Sequence, residues 1–225
     1  MKSGYWRVVG AILWKDIWME FRRPEVLPAM IVFAILAVFL FNFTLEFQPA
    51  LRTSLVPGLL WLTITFSGTL GINRCVASEK DRGSFDGLLL APVERHAIFL
   101  GKTAGVLCFL LVMEGILIGL FSLFYNVNLF QPALLGVCIL ASLGFVSTGI
   151  FMGSIAVQTK SQEIILPVLL LPVSLPLLIA AVKASSATLD GSALVEAIPW
   201  LNILIVYDLV FIALALMIFD VIVEE

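Results

Sequence analysis

Charge is scarce in this chain. Charged residues make up 13% of its 225 positions, with 13 Lys and Arg, 16 Asp and Glu, and a single histidine. An ordinary domain carries about 25%, so the composition excludes a soluble globular fold. No basic patch is interleaved with aromatics, which argues against nucleic acid as a partner. Cysteine is sparse too. Cys75, Cys108 and Cys138 have no CxxC spacing, and the last two sit in apolar runs, so all three read as small hydrophobes rather than a disulfide or metal framework. A cleavable signal peptide is not expected, because the first apolar run begins only after 25 residues and has no small-residue cleavage site. No hydrolytic triad or metal-ligand cluster is visible. The chain is therefore expected to be non-catalytic, with no metal and no cofactor bound directly.

What is present is hydrocarbon: 61% of residues are hydrophobic, and the mean hydropathy is +1.10. A helix rising ~1.5 Å per residue needs about 20 apolar residues to cross ~30 Å of bilayer core. Runs of that kind are expected to span at 26–45, 54–73, 99–125, 132–157, 164–182 and 199–219. Residues 1–25 read as an interfacial helix. Trp6, Gly10, Leu13, Trp14, Ile17 and Phe21 share one face, and Arg7, Lys15, Asp16, Glu20 and Arg22 spread over the rest. Trp and basic residues together suit the headgroup plane.

The expected fold class is thus an all-α membrane protein. It has six transmembrane helices, an N-terminal amphipathic interfacial helix and a short cytoplasmic coupling helix between spans 2 and 3, all in one membrane domain. Lys and Arg counts orient it. With the N-terminus inside, the inside segments hold eleven: Lys2, Arg7, Lys15, Arg22, Arg23, Arg74, Lys80, Arg82, Arg95, Lys102 and Lys160. Arg52 and Lys183 remain outside. Such a bias places both termini in the cytoplasm.

The longest polar stretch is the island at 74–98. Its centre reads as a short helix with Ser84 as N-cap, an apolar face of Phe85, Leu88 and Leu89, and Pro92 as terminator. It is either a solvated loop or a docking element for a soluble partner.

Other features lie within the spans. Glu114 and Asp208 are intramembrane acids, which are functional candidates because burying them is costly; a hydrogen bond to a neighbouring helix is the plainer role, most of all for Asp208. Pro167, Pro172 and Pro176 interrupt the fifth span and predict a bent or broken helix, a place for a kink or gate. Glycine pairs at GxxxG spacing, Gly101–Gly105, Gly115–Gly119 and Gly149–Gly153, permit close helix contact. Gly101-Lys102-Thr103 lacks the preceding glycine and strand of a phosphate loop, and Lys102 reads as an anchor at a span end. If ATP is used, another chain binds it. His96 reads as a solvated interface residue.

The island, from Glu79-Lys80-Asp81-Arg82-Gly83-Ser84-Phe85-Asp86 to Gly87-Leu88-Leu89-Leu90-Ala91-Pro92, resembles the ATPase-contacting element of type-2 ABC exporter permeases. The Pro57-Gly58-Leu59-Leu60-Trp61 opening of the second span and the proline-rich stretch 167–179 resemble the CcmB family, permease subunits of the cytochrome c maturation haem exporter. That resemblance covers nearly the whole chain. It implies a half-transporter in the bacterial inner membrane that pairs with a second copy and with a CcmA-like ABC ATPase. A CcmC-like haem-handling protein, a CcmD-like small membrane subunit and a CcmE-like periplasmic haem chaperone complete the implied complex, with haem as its possible cargo. Glu79, Asp81, Arg82, Gly83, Phe85, Asp86, Leu88 and Leu89 would then couple to the ATPase. A permease of the same superfamily for lipid, drug or polysaccharide is the alternative. A secondary transporter ranks lower, since it predicts matching broken helices in two repeats, and the proline-rich span has no counterpart.

Overall fold

The computed structural model describes residues 2–45, 49–81, 94–156, 162–189 and 194–222. Seven helices account for nearly all of them: α1 (Lys2–Arg22), α2 (Val26–Leu45), α3 (Pro49–Asp81), α4 (Arg95–Tyr125), α5 (Pro132–Ala156), α6 (Gln162–Leu189) and α7 (Leu194–Ile222). No strand occurs among the described residues. Helices α2 to α7 are each long and apolar enough to cross a membrane, and the chain is a multi-pass membrane protein.

Lipid offers no hydrophobic force to drive helices together, so packing depends on small residues that allow close approach. The two central helices show this. α5 packs against α3, α4, α6 and α7, and α3 against α2, α4, α5 and α6. On α3, a Cβ at Gly68 would lie 2.7 Å from the ring of Phe145 on α5, and one at Gly71 would collide with Met30 of α2. On α5, Gly149 receives Ile72, while Gly153 receives Val76 at 2.9 Å and Leu166 at 3.1 Å. Peripheral α2 buries only a thin stripe: Val26, Met30, Ala34 and Val38, each one turn apart, and Leu45. Its remaining residues, such as Val32, Leu36 and Phe43, are exposed as a lipid-facing surface requires.

Helices outrun the expected spans at several ends. α3 continues through Arg74 to Asp81, so the first part of the polar island is helix, and α4 has begun by Arg95. α6 continues to Leu189 and α7 begins at Leu194, so most of the expected outside loop at 183–198 is helical. Polar residues add length because helical hydrogen bonding continues past the hydrocarbon edge, where only the side chains change solvent. Asn126 ends α4 in the left-handed conformation, φ 53°, which Asn tolerates better than most residues.

Where a bent or broken helix was expected, α6 is one continuous helix through Pro167, Pro172 and Pro176, so it is not broken there. Proline at 167 cannot donate to the carbonyl of Glu163, one turn earlier. Asn73 Nδ2 on α3 donates to that carbonyl instead, at 3.1 Å. A neighbouring helix thus supplies the bond that proline removes.

Candidate functional site

Of the residues expected to couple to an ATPase, Glu79 and Asp81 fall in the last turn of α3. Arg82, Gly83, Phe85, Asp86, Leu88 and Leu89 lie outside the described residues, as does the short helix expected around them. What the structure does place are the two helices this segment joins and their supports. α3 is tied to the first turn of α6 through Asn73 and Glu163. α4 is tied to α1, and α1 to α2.

The α1–α4 junction was not visible as a unit in sequence. α1 turns Val9 and Ile12 inward, while Trp6, Trp14 and Phe21 of the expected apolar face point outward and are exposed. The inward face sits on the Gly101–Gly105 pair. A Cβ at Gly101 would lie 2.8 Å from Ile12 Cβ, and one at Gly105 would lie 3.3 Å from Asp16 Oδ2. Close approach brings Asp16 to Lys102, whose Nζ donates to Oδ1 at 3.3 Å and lies 3.2 Å from Oδ2. Lys102, expected as an anchor at a span end, is only 4% exposed and is an internal cation paired across helices with Asp16. Lys15 adds a second cation, 3.1 Å from Asp16. One turn on, the Glu20 carboxylate accepts from the backbone N–H groups of Glu25, Val26 and Leu27 at 3.1, 3.0 and 2.8 Å. It thereby caps α2, whose N-terminus favours a negative charge. Gly101-Lys102-Thr103 is thus helix, buried against α1, with no phosphate loop around it.

The two intramembrane acids are held differently. Glu114 of α4 is 2% exposed and its Oε1 accepts from the Ser142 hydroxyl of α5, while Oε2 has no partner among the described residues. Asp208 of α7 is 4% exposed, and neither oxygen has a partner among the described residues. Its carboxyl fits into the space left by Gly144 of α5, where a Cβ would collide with Oδ1. Beside it, the Tyr207 hydroxyl bridges two helices, accepting from Thr148 Oγ1 at 3.1 Å and donating to the Val173 carbonyl at 3.2 Å. Glu114 and Asp208 therefore meet different faces of α5.

Toward the opposite end of the bundle, Trp61 Nε1 of α3 donates to Ser185 Oγ of α6 at 2.8 Å. An apolar groove of about 540 Å³ opens beside it, lined by Trp61, Phe66, Leu175 and Ile179, with Lys183 at one edge. The proline-rich helix and the Pro-Gly-x-x-Trp opening of the second span thus form the two walls of one groove. Among the described residues, no group of three or more His, Cys, Asp or Glu gathers as metal ligands would, and His96 is half-buried in the first turn of α4.

The family model described as CcmB protein matches residues 7–223. The chain is 28% identical over 194 residues to heme exporter protein B of Pseudomonas aeruginosa, an alignment covering 82% of this chain and 83% of that protein. It is 26% identical over 187 residues to heme exporter protein B of Bradyrhizobium diazoefficiens, covering 81% and 83%. With heme exporter protein B of Escherichia coli K12 it shares 25% identity over 98 residues, covering 44% and 43%.

Proposed function

The chain belongs to the CcmB family, and on that premise we propose that it is the membrane subunit of a haem exporter serving cytochrome c maturation. It is non-catalytic, and a separate CcmA-like ATPase supplies ATP hydrolysis. The carrying observation is the family match from residue 7 to residue 223, which takes in all six membrane-spanning helices. The names of its relatives support haem as the cargo of the complex. The Lys and Arg bias supports an inner-membrane orientation with both termini in the cytoplasm.

In this reading the ATPase pushes on residues 79–92, and α3 and α4, which flank that segment, carry the displacement. Phe85, Leu88 and Leu89 fill a groove on the ATPase, while Glu79, Asp81, Arg82 and Asp86 set register by charge, and Gly83 belongs to the same coupling set. Pro167, Pro172 and Pro176 make α6 the element that yields. Pairing with a second copy and with CcmC-like and CcmD-like subunits completes the machine, whose output is haem delivery or release of a haem-loaded CcmE-like chaperone. One histidine in the chain favours release over a liganded haem path through this subunit.

The test is a stain for covalently bound haem in cells with and without this protein. Loss of all c-type cytochromes, restored by the wild-type chain but not by an Asp86→Ala/Leu88→Ala variant that still inserts, is the expected result. Normal cytochromes in its absence would sink the haem reading.

A further inference from the structure

At the end of the bundle where α3 runs into the polar segment, α3 and α6 are tied by a bond whose acceptor a proline creates. In an uninterrupted helix the Glu163 carbonyl accepts from the N–H of residue 167, but Pro167 has none and its ring crowds that oxygen. Asn73 Nδ2 donates to it instead, at 3.1 Å. The first turn of α6 is therefore bonded across to α3 where it would otherwise be bonded to its own helix. Asn73 stands eight residues before Asp81, which is about 12 Å along one helix. Whatever displaces the end of α3 displaces Asn73.

Apolar contacts also join the helices here. Val76 of α3 and Leu166 of α6 both rest on Gly153 of α5. Contacts of that kind hold helices at a distance, but they are non-directional and let one slide along the other. A hydrogen bond weakens steeply once its angle falls below ~120°, so Asn73 fixes register as well as distance. The amide's Oδ1 has no partner among the described residues, which leaves the bond to Glu163 as its attachment. Room to move is present too: a cavity of about 330 Å³, lined by Glu25, Arg74 and Ser78, borders both Asn73 and Glu163. On the reading that an ATPase drives the end of α3, we propose that Asn73 is the positioning residue that passes this displacement to α6. The first turn of α6 follows α3 through the Glu163 carbonyl, and Pro167 is the joint at which it swings against the rest of the helix.

The experiment is hydrogen exchange by mass spectrometry on the complex of the full chain with its ATPase, without nucleotide and with a non-hydrolysable ATP analogue. In the wild-type complex the analogue should change exchange both at the end of α3 and at the start of α6, residues 163–170. Asn73→Ala should keep the α3 response and lose the α6 response. Without nucleotide this variant should exchange about fivefold faster at the start of α6, the worth of one ordinary hydrogen bond. A merely structural bond would add that same factor in both states and leave the response intact. Asn73→Ala with Pro167→Ala separates the two roles again. Residue 167 regains an N–H for the Glu163 carbonyl, so protection without nucleotide should return while the response to nucleotide stays lost. An α6 response that survives Asn73→Ala, or that returns in the double variant, overturns the proposal. A wild-type response at α3 with none at α6 also overturns it and leaves the ATPase reading standing. No response anywhere in the chain removes that reading and the proposal with it.

Discussion

Asp16, half-buried, and Asp208, buried, are two carboxylates packed against glycines of a neighbouring helix, yet they are held by opposite means. Asp16 lies over Gly105 and is gripped by two lysines, Lys15 and Lys102. Asp208 fits over Gly144 with no hydrogen-bond partner among the described residues. The first belongs to the end of the bundle where α1 packs, the second to the interior of a span. Near the membrane edge a charged group can be matched by charge, because flanking chain supplies Lys and Arg at tolerable cost. In mid-span another charge is expensive, so position is secured by shape and by neutral groups such as the Ser142 and Tyr207 hydroxyls. The lesson is that the same glycine device serves an electrostatic joint at one depth and a steric joint at another.

The contrast can be broken most severely at Lys102. Lys102→Met leaves the half-buried Asp16 with Lys15 still beside it, so it should cost about 2–3 kcal/mol, the worth of a charge-assisted hydrogen bond. Thermal unfolding in detergent would show it as a lowered Tm. The double variant Lys102→Met with Asp16→Leu should recover most of the loss; a double variant as unstable as the single one would mean that the pair is not the joint.

Gly144→Ala attacks the steric joint. The added methyl meets the Asp208 carboxyl and should cost about 1–3 kcal/mol as overpacking. Because the conflict is with one side chain, Asp208→Ala should relieve it in the double variant, and additive losses would contradict the fit. Asp208→Asn alone, with no hydrogen bond to lose among the described residues, should change stability by less than about 1 kcal/mol, against the larger loss expected for Lys102.

Neutral links should show the smallest effects. Asn73→Ala removes the donor to the Glu163 carbonyl and should cost about 1 kcal/mol. It should also speed hydrogen exchange in the first turn of α6 while sparing the first turn of α4. Ser142→Ala and Trp61→Phe should each cost on the order of 0.6 kcal/mol, the usual worth of a hydrogen bond between membrane helices. A loss above ~2 kcal/mol at Ser142 would mean that Glu114 depends on it far more than a single neutral bond implies.

Much of this was legible from the residues. Six spans can be read off the chain because hydrocarbon thickness dictates a length and the apolar runs meet it. The three prolines of α6 mark a helix in need of outside donors, and one such donor is present in Asn73. Glu114 and Asp208 stand out by their cost alone. Partners were not legible. Three glycine pairs share one spacing, yet Gly101–Gly105 seats α1, Gly149–Gly153 seats Ile72 and Val76 of α3, and a Cβ at Gly115 or Gly119 would meet nothing within 4 Å among the described residues. Spacing states that a helix can approach; it does not state whether one does. α1 is a similar case, because its tryptophan-rich face drew attention while the face that packs carries Val9, Ile12 and Asp16, with Val8 and Ile17 beside them.

Sequence by itself therefore determined the class of molecule, the number of spans and the polar segment between the second and third. These follow from the free energy of moving each side chain between water and lipid, which adds along the chain without reference to neighbours. Tertiary structure alone decided that Lys102 is an internal cation, that Glu114 meets Ser142 and that Asp208 rests on Gly144. Those outcomes depend on which helix faces lie together. Inside lipid, where every face is similarly apolar, packing geometry rather than hydrophobicity makes that choice.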